Sequence, residues 1–392
     1  MPRWLPLLLG FLTAVGPLST DMYLPAFPAI EAELGTARGS VEITLAAWFV
    51  GLAVGQLVQG TLADRLGRRG PLIVGTTIYT LASVGCAMAG DMATLAAWRC
   101  VAAFGGAASA VIPRAMVRDL AEGLEAARLM SKLMLVMGAA PILAPTLGGL
   151  LLGAGGWRMI FWACVAYGAL SCLLAALLLP ETLPPDRRAR RSAITLLADF
   201  IEIGRERGFI SHALMGAMAM FAVFAFIGGA PDVYIAHFGI PASRFGLLFA
   251  VSATGFIAAS QFNPTLLRRF GPRRVPSMAL RVSAIAAGGV LVAAFTGWGG
   301  IWGVFVPAAI ALAATGLIFP NAAVGALARH PARAGSASAL LGTLQFTCAA
   351  LGSALVGALA DGTPRPMALL MLVGALAALA AGSLRPAVRP SA

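Results

Sequence analysis

Long apolar stretches alternate with short polar, arginine-bearing ones from one end of the chain to the other. About 20 apolar residues, at about 1.5 Å of helical rise each, cross the roughly 30 Å of bilayer hydrocarbon. Stretches of that kind lie at 5–27, 41–63, 71–89, 94–117, 130–153 and 158–179, and again at 209–231, 243–267, 275–295, 300–322, 335–358 and 364–384. Each predicts a membrane-spanning helix. The longest polar segment, 180–208, falls in the middle and carries Pro184, Pro185, Asp186, Arg187, Arg188, Arg190 and Arg191. A short surface helix is expected within it, at 196–205. The expected fold class is therefore an all-α membrane protein with twelve transmembrane helices. A six-helix bundle at 1–179 and a second at 209–392 are joined by a polar linker at 180–208.

The two halves read as repeats. A shift of 204 residues carries Gly60–Arg69 onto Pro264–Arg273, with Leu62/Leu266, Arg65/Arg269, Gly67/Gly271 and Arg69/Arg273 in register and Arg268 replacing Asp64. Six plus six helices joined by a linker is the layout in which a substrate site lies at the midplane between two rocking halves.

Composition sharpens the class. Of 392 residues, 59% are hydrophobic and only 11% charged, with a mean hydropathy of +0.87. A soluble domain needs no such excess of apolar surface. The start of the chain has the outline of a secretion signal, with Arg3, an apolar run, then Ala14 and Gly16. Eleven further spans follow, so a retained first helix is expected.

The net charge of +12 does not indicate nucleic acid, because the basic residues sit in short loops and form no stripe interleaved with aromatics. With the N-terminus inside, twenty-one of them are cytoplasmic and four, Arg38, Arg158, Arg244 and Arg365, lie opposite. The positive-inside rule then places both termini in the cytoplasm. The five cysteines lie in apolar stretches without metal spacing, and the three histidines, His212, His237 and His330, are scattered. No metal site, cofactor or nucleophile–base pair is expected, so the chain does not read as an enzyme.

Two of the charges inside spans stand out. Asp21 is about six residues from the outer end of the first, and Arg99 about four residues into the fourth from the same side. A carboxylate at membrane depth costs about 2.5–3.5 kcal/mol even on lenient scales, so it is read as functional by default. A buried cation beside it would favour the charged form and apolar surroundings the neutral one, which makes a group tuned for protonation. A wetted carboxylate near the headgroups and a snorkelling arginine are the plainer readings. A second acid, Asp232, follows the seventh stretch and reads as a solvated turn residue. Gln56, Gln59, Asn263, Asn321 and Gln345 either line a cavity or bond between helices. Tyr23, Phe27, Trp48, Phe49, Phe224 and Phe226 are candidates for an adaptable aromatic wall, against the commoner fate of core or lipid packing.

The stretch Gly60-Thr-Leu-Ala-Asp64-Arg65-Leu-Gly67-Arg68-Arg69 resembles the loop signature between helices 2 and 3 of the major facilitator superfamily. Gly67 allows the tight turn, Asp64 is free to pair with a basic group, and Arg118 and Asp119 at the end of the fourth helix supply matching charges. Gly138-Ala-Ala-Pro141-Ile-Leu-Ala-Pro145-Thr-Leu-Gly148-Gly149 resembles the helix 5 antiporter motif of that superfamily, with Ala144 where the pattern has glycine. STDMYLPAFP (19–28), PRAMVRDL (113–120), PETLPPDRR (180–188), FPNAAVGAL (319–327) and AGSASALLGTLQ (334–345) resemble the Bcr/CflA branch, drug–proton antiporters of the bicyclomycin and chloramphenicol type.

The resemblance implies proton-coupled efflux of small, moderately hydrophobic compounds by alternating access, from a monomer in a bacterial inner membrane. By it, Asp21 is the proton-titrating acid and Arg99 the charged residue of helix 4, with protons as the coupling ion. Export of a self-made metabolite, or less readily import of a nutrient by proton symport, uses the same fold.

Overall fold

The computed structural model describes residues 4–121, 129, 133, 140, 143–188, 193–328, 330 and 333–385, and every regular element among them is helical. The spans are α1 (Leu5–Leu34), α2 (Glu42–Leu66), α3 (Arg69–Ala87), α4 (Met92–Leu120), α5 (Leu143–Gly155) and α6 (Trp157–Leu178). They continue with α7 (Arg207–His237), α8 (242–270), α9 (272–296), α10 (Gly300–Leu327), α11 (Ala334–Ala358) and α12 (Arg365–Ser383). These are the twelve expected helices. Gly138 and Pro141 of the helix 5 motif lie outside the described residues.

α1 is repeatedly broken. It is α-helical over Leu5–Thr13 and Val15–Asp21, passes through a 3₁₀ turn at Leu24–Ala26, and resumes at Phe27–Leu34. Pro17, Pro25 and Pro28 each lack the N–H that a continuous ladder needs. The span also outlasts the expected end at residue 27. Pro28 opens a new helical turn, where its missing donor costs nothing, and Gly35 closes the helix in the left-handed conformation at φ 64°.

The long run Ala242–Thr296 bends at Gly271, which takes φ 82° and ψ 161°. Its repeat partner Gly67, between α2 and α3, takes φ 100° and ψ 172°. An L side chain resists that conformation, so the internal repeat extends to backbone geometry.

The chain divides into two compact units, Met1–Arg190 with Ala230–Ala250, and Arg191–Gly229 with Val251–Ala392. The sequence division at 180–208 assigned all of 209–392 to the second bundle, whereas Ala230–Ala250 groups with the first unit. Specific contacts tie it there: Arg38 bridges Asp232 at 3.2 Å, and Gly246 abuts Thr146 of α5. In the first unit α4 packs on α2 and α3, and Ala102, Ala103, Ala107 and Ala108 are buried along it. Small residues let helices approach closely where lipid supplies no hydrophobic drive. In the second unit Met215, Ala219, Ile318, Ala322 and Ala378 form a core. The linker helix Ala193–Arg205 joins that unit through Ile203, packed with Phe209, Ala326 and Leu341, and through Arg333, which donates to Glu202 at 2.6 and 2.7 Å. Leu81, Ile285 and Trp302 are exposed, as suits faces turned to lipid.

Candidate functional site

Asp21 closes the second helical piece of α1, so its side chain leaves the backbone where the ladder is interrupted. It is buried, and one carboxylate oxygen accepts a hydrogen bond from Thr20 Oγ1 at 2.9 Å. Thr20 Oγ1 also lies 3.0 Å from the Gly16 carbonyl, so its single proton is shared between that carbonyl and Asp21. Arg99 of α4 is 1% exposed. It donates through Nη1 to the Ser19 carbonyl at 2.7 Å, two residues from Asp21. The ion pair that a shared depth suggests is not formed: among the described residues no salt bridge joins Asp21 to Arg99.

The guanidinium instead lies in aromatic surroundings. Its Cζ is 4.2 Å from the Tyr23 ring centroid, 4.6 Å from Trp48 and 6.0 Å from Phe161. Cation–π attraction is strongest in such a desolvated setting. Tyr23 O–H reaches Thr44 Oγ1 at 3.0 Å, and because Thr44 donates to the Val41 carbonyl, Tyr23 is the donor. Tyr79 O–H and Ser19 Oγ are 2.7 Å apart, and Tyr79 meets Trp48 edge-on. Four of the expected wall residues therefore gather near one cation or its neighbours: Tyr23, Trp48, Phe27 beside Tyr23, and Phe49 in the adjoining core. Gln56, two turns further along α2, is half-buried. Phe224, Phe226 and Gln345 belong to the second unit; both phenylalanines are buried, and Gln345 faces Gly216.

The described part of the helix 5 motif backs this site. A methyl group on Gly148 would collide with the Met22 carbonyl, and one on Gly149 would crowd the Ala242 backbone. Ala144 and Pro145, on the same helix, are buried.

At the other end of the unit, Arg68 is the hub of a charge network. It donates to Asp64 at 2.5 Å and to Asp119 at 2.8 Å, and Thr182 also reaches Asp119 at 3.1 Å. Asp64 thus pairs with Arg68 on its own loop. Arg118 has no described side chain, Arg65 and Gly60 lie on the α2 end, and Arg69 donates to the Ala176 carbonyl of α6. The sequence reading gave no role to Glu181, yet its carboxylate accepts the backbone N–H groups of Arg68 at 2.8 Å, Arg69 at 3.2 Å and Leu183 at 3.0 Å. Burial alone would raise the Glu181 carboxyl; these amides outweigh it and hold the group below its ordinary range. A carboxyl so lowered stabilises the fold above its unfolded pKa and stops doing so as pH falls through the folded value. Glu181→Gln should therefore lower the melting temperature of purified protein by about 2–4 °C at pH 7, a difference that closes below about pH 4.

The start of α2, in the same unit, holds a second feature that the sequence reading missed. Glu42, at the first turn of α2, is buried and interacts electrostatically with Glu31, Asp232 and Tyr23. It sat inside the second apolar stretch, where an acid at a helix start reads as a dipole partner. Asp232 is not the solvated turn residue expected. Pro231 lacks an N–H, the backbone widens into a π turn over Asp232–His237, and the Asp232 side chain, 15% exposed, turns to Arg38. Nearby, Glu33 accepts from Trp157 Nε1 at 2.8 Å and from Arg158.

Comparison with known proteins follows the same lines. Residues 9–353 match the model of the Major Facilitator Superfamily. The chain is 34% identical, over 95% of its length and 92% of the relative, to an uncharacterized MFS-type transporter of Bacillus subtilis, YdgK. It is 28% identical, over 93% of its length and 92% of the relative, to a bicyclomycin resistance protein homolog of Haemophilus influenzae. Among solved structures it resembles a partially occluded inward-open form of the xylose transporter XylE from E. coli, with a TM-score of 0.74 at 15% identity, covering 96% of this chain and 95% of that one.

Proposed function

The chain belongs to the major facilitator superfamily, and from that premise we propose that it is a proton-coupled efflux antiporter for small, moderately hydrophobic compounds of the bicyclomycin and chloramphenicol type. It is a multi-pass membrane transporter and not an enzyme. The observation that carries the antiport reading is Asp21: an acid buried at a break in the first span, with an arginine bonded two residues away. The relative named for bicyclomycin resistance supports drugs as cargo.

In the proposed cycle the inward-facing form takes up drug with Asp21 deprotonated. In the outward-facing form a proton from outside neutralises Asp21 and favours drug release, and the protonated form returns and loses the proton inside. One positive charge moving inward gains about 2.3 kcal/mol per 100 mV. At about 150 mV that supports a drug ratio of a few hundredfold for a neutral substrate. The setting proposed is a bacterial inner membrane with both termini cytoplasmic, the working unit a monomer, and protons the sole coupling species.

Proteoliposomes loaded with a pH-sensitive dye test this. Imposing a chloramphenicol gradient should move protons in the opposite direction, at a rate that scales with protein content. Proton movement in the same direction as the solute would make the chain a symporter, and none with any drug would turn the search to cellular metabolites.

A further inference from the structure

Three buried donor atoms on Arg99 and Trp48 have no acceptor. Nε and Nη2 of Arg99 and Nε1 of Trp48 make no hydrogen bond, although both side chains are 1% exposed. Buried polar atoms are rarely left in this condition, and a native exception calls for a reason. The three belong together, since the guanidinium lies 4.6 Å from the Trp48 ring. All are N–H groups, so what completes them is an acceptor.

The same geometry disfavours cations. Aromatic walls commonly receive an organic cation on the ring face, but here one face of Tyr23 and one of Trp48 already hold the protein's own guanidinium, at 4.2 and 4.6 Å. That positive charge also offsets Asp21, so the site offers a cation no net attraction.

We propose that Arg99 and Trp48 form an acceptor-binding subsite, which selects uncharged molecules bearing carbonyl or nitro oxygens and rejects lipophilic cations. Arg99 gives two N–H donors and Trp48 one, and Tyr23 holds the guanidinium in place. The inference deepens the export reading and rests on it.

Equilibrium binding to the purified full-length protein tests it, with chloramphenicol as the acceptor probe and tetraphenylphosphonium as the cation probe. Wild type should bind chloramphenicol at least about tenfold more tightly than the cation. Trp48→Phe keeps the ring and removes the donor, and should weaken chloramphenicol about five- to tenfold while leaving the cation unchanged. Arg99→Met removes the charge and frees the ring faces, and should reverse the preference. If Arg99→Met binds neither probe, Trp48→Phe decides alone. Unchanged chloramphenicol affinity in Trp48→Phe, or a wild type that prefers the cation, overturns the subsite and leaves export standing. A wild type that binds neither probe removes the drug reading itself.

Discussion

Asp21→Asn should end drug-driven proton movement in proteoliposomes, while drug affinity should stay within about threefold of wild type. Asparagine has the size of aspartate and still offers an oxygen to Thr20 Oγ1, the donor that the carboxylate accepts from. The packing around Ser19, Thr20 and Tyr23 is therefore kept. What is lost is the ability to carry a proton, and with it about 3.5 kcal/mol per cycle at about 150 mV. Steady accumulation against a gradient should fall by about two orders of magnitude, to simple exchange. The measurement pairs dye-reported proton flux with equilibrium binding on the same preparation. Flux that persists in Asp21→Asn would move the coupling role to Asp232 or Glu42, two further acids of the first unit.

Gly148→Val should abolish transport, whereas Gly153→Val on the same helix should leave it near wild type. The two glycines differ in what surrounds them. A side chain at Gly148 meets the Met22 carbonyl, while one at Gly153 meets open space. Overpacking of this kind costs about 1–3 kcal/mol in a core. Here the displaced atom is one residue from Asp21, and a shift of about 1 Å at a reacting group can cost about a hundredfold in rate. Uptake into inverted vesicles, normalised to the protein inserted, checks the pair. Equal losses in both variants would mean that α5 tolerates no branched residue at all, and that Met22 has no special part.

Helix number and order were legible because each span is a long apolar run bounded by arginines, and lipid leaves the backbone no alternative to a helix. The outer half of α1 was not legible. Pro28 reads as a stop, and Glu31 and Glu33 read as loop, yet the proline begins a turn and both acids find partners, in Val41 N–H and in Trp157. Asp21 and Arg99 were visible as charges at membrane depth. Their actual relation, through Ser19 and three rings, depends on side-chain direction across four helices, which no single stretch encodes. Glu181 shows the same limit from the other side. PETLPP was recognisable as a pattern, but its acid acts on backbone amides more than a hundred positions earlier, and backbone donors leave no mark in a sequence.

The aromatic enclosure of Arg99 also bears on how the protein is made. An arginine inside the span opposes insertion of α4, by up to about 2.5–3.5 kcal/mol at the helix centre, when the helix stands alone in lipid. Three of its partners, the Ser19 carbonyl, Tyr23 and Trp48, belong to helices that leave the ribosome earlier. Chain order thus delivers the counter-surface before the charge arrives. A version of this protein shuffled so that α4 emerges first should stall at the translocon, even though every contact of the finished fold remains available to it.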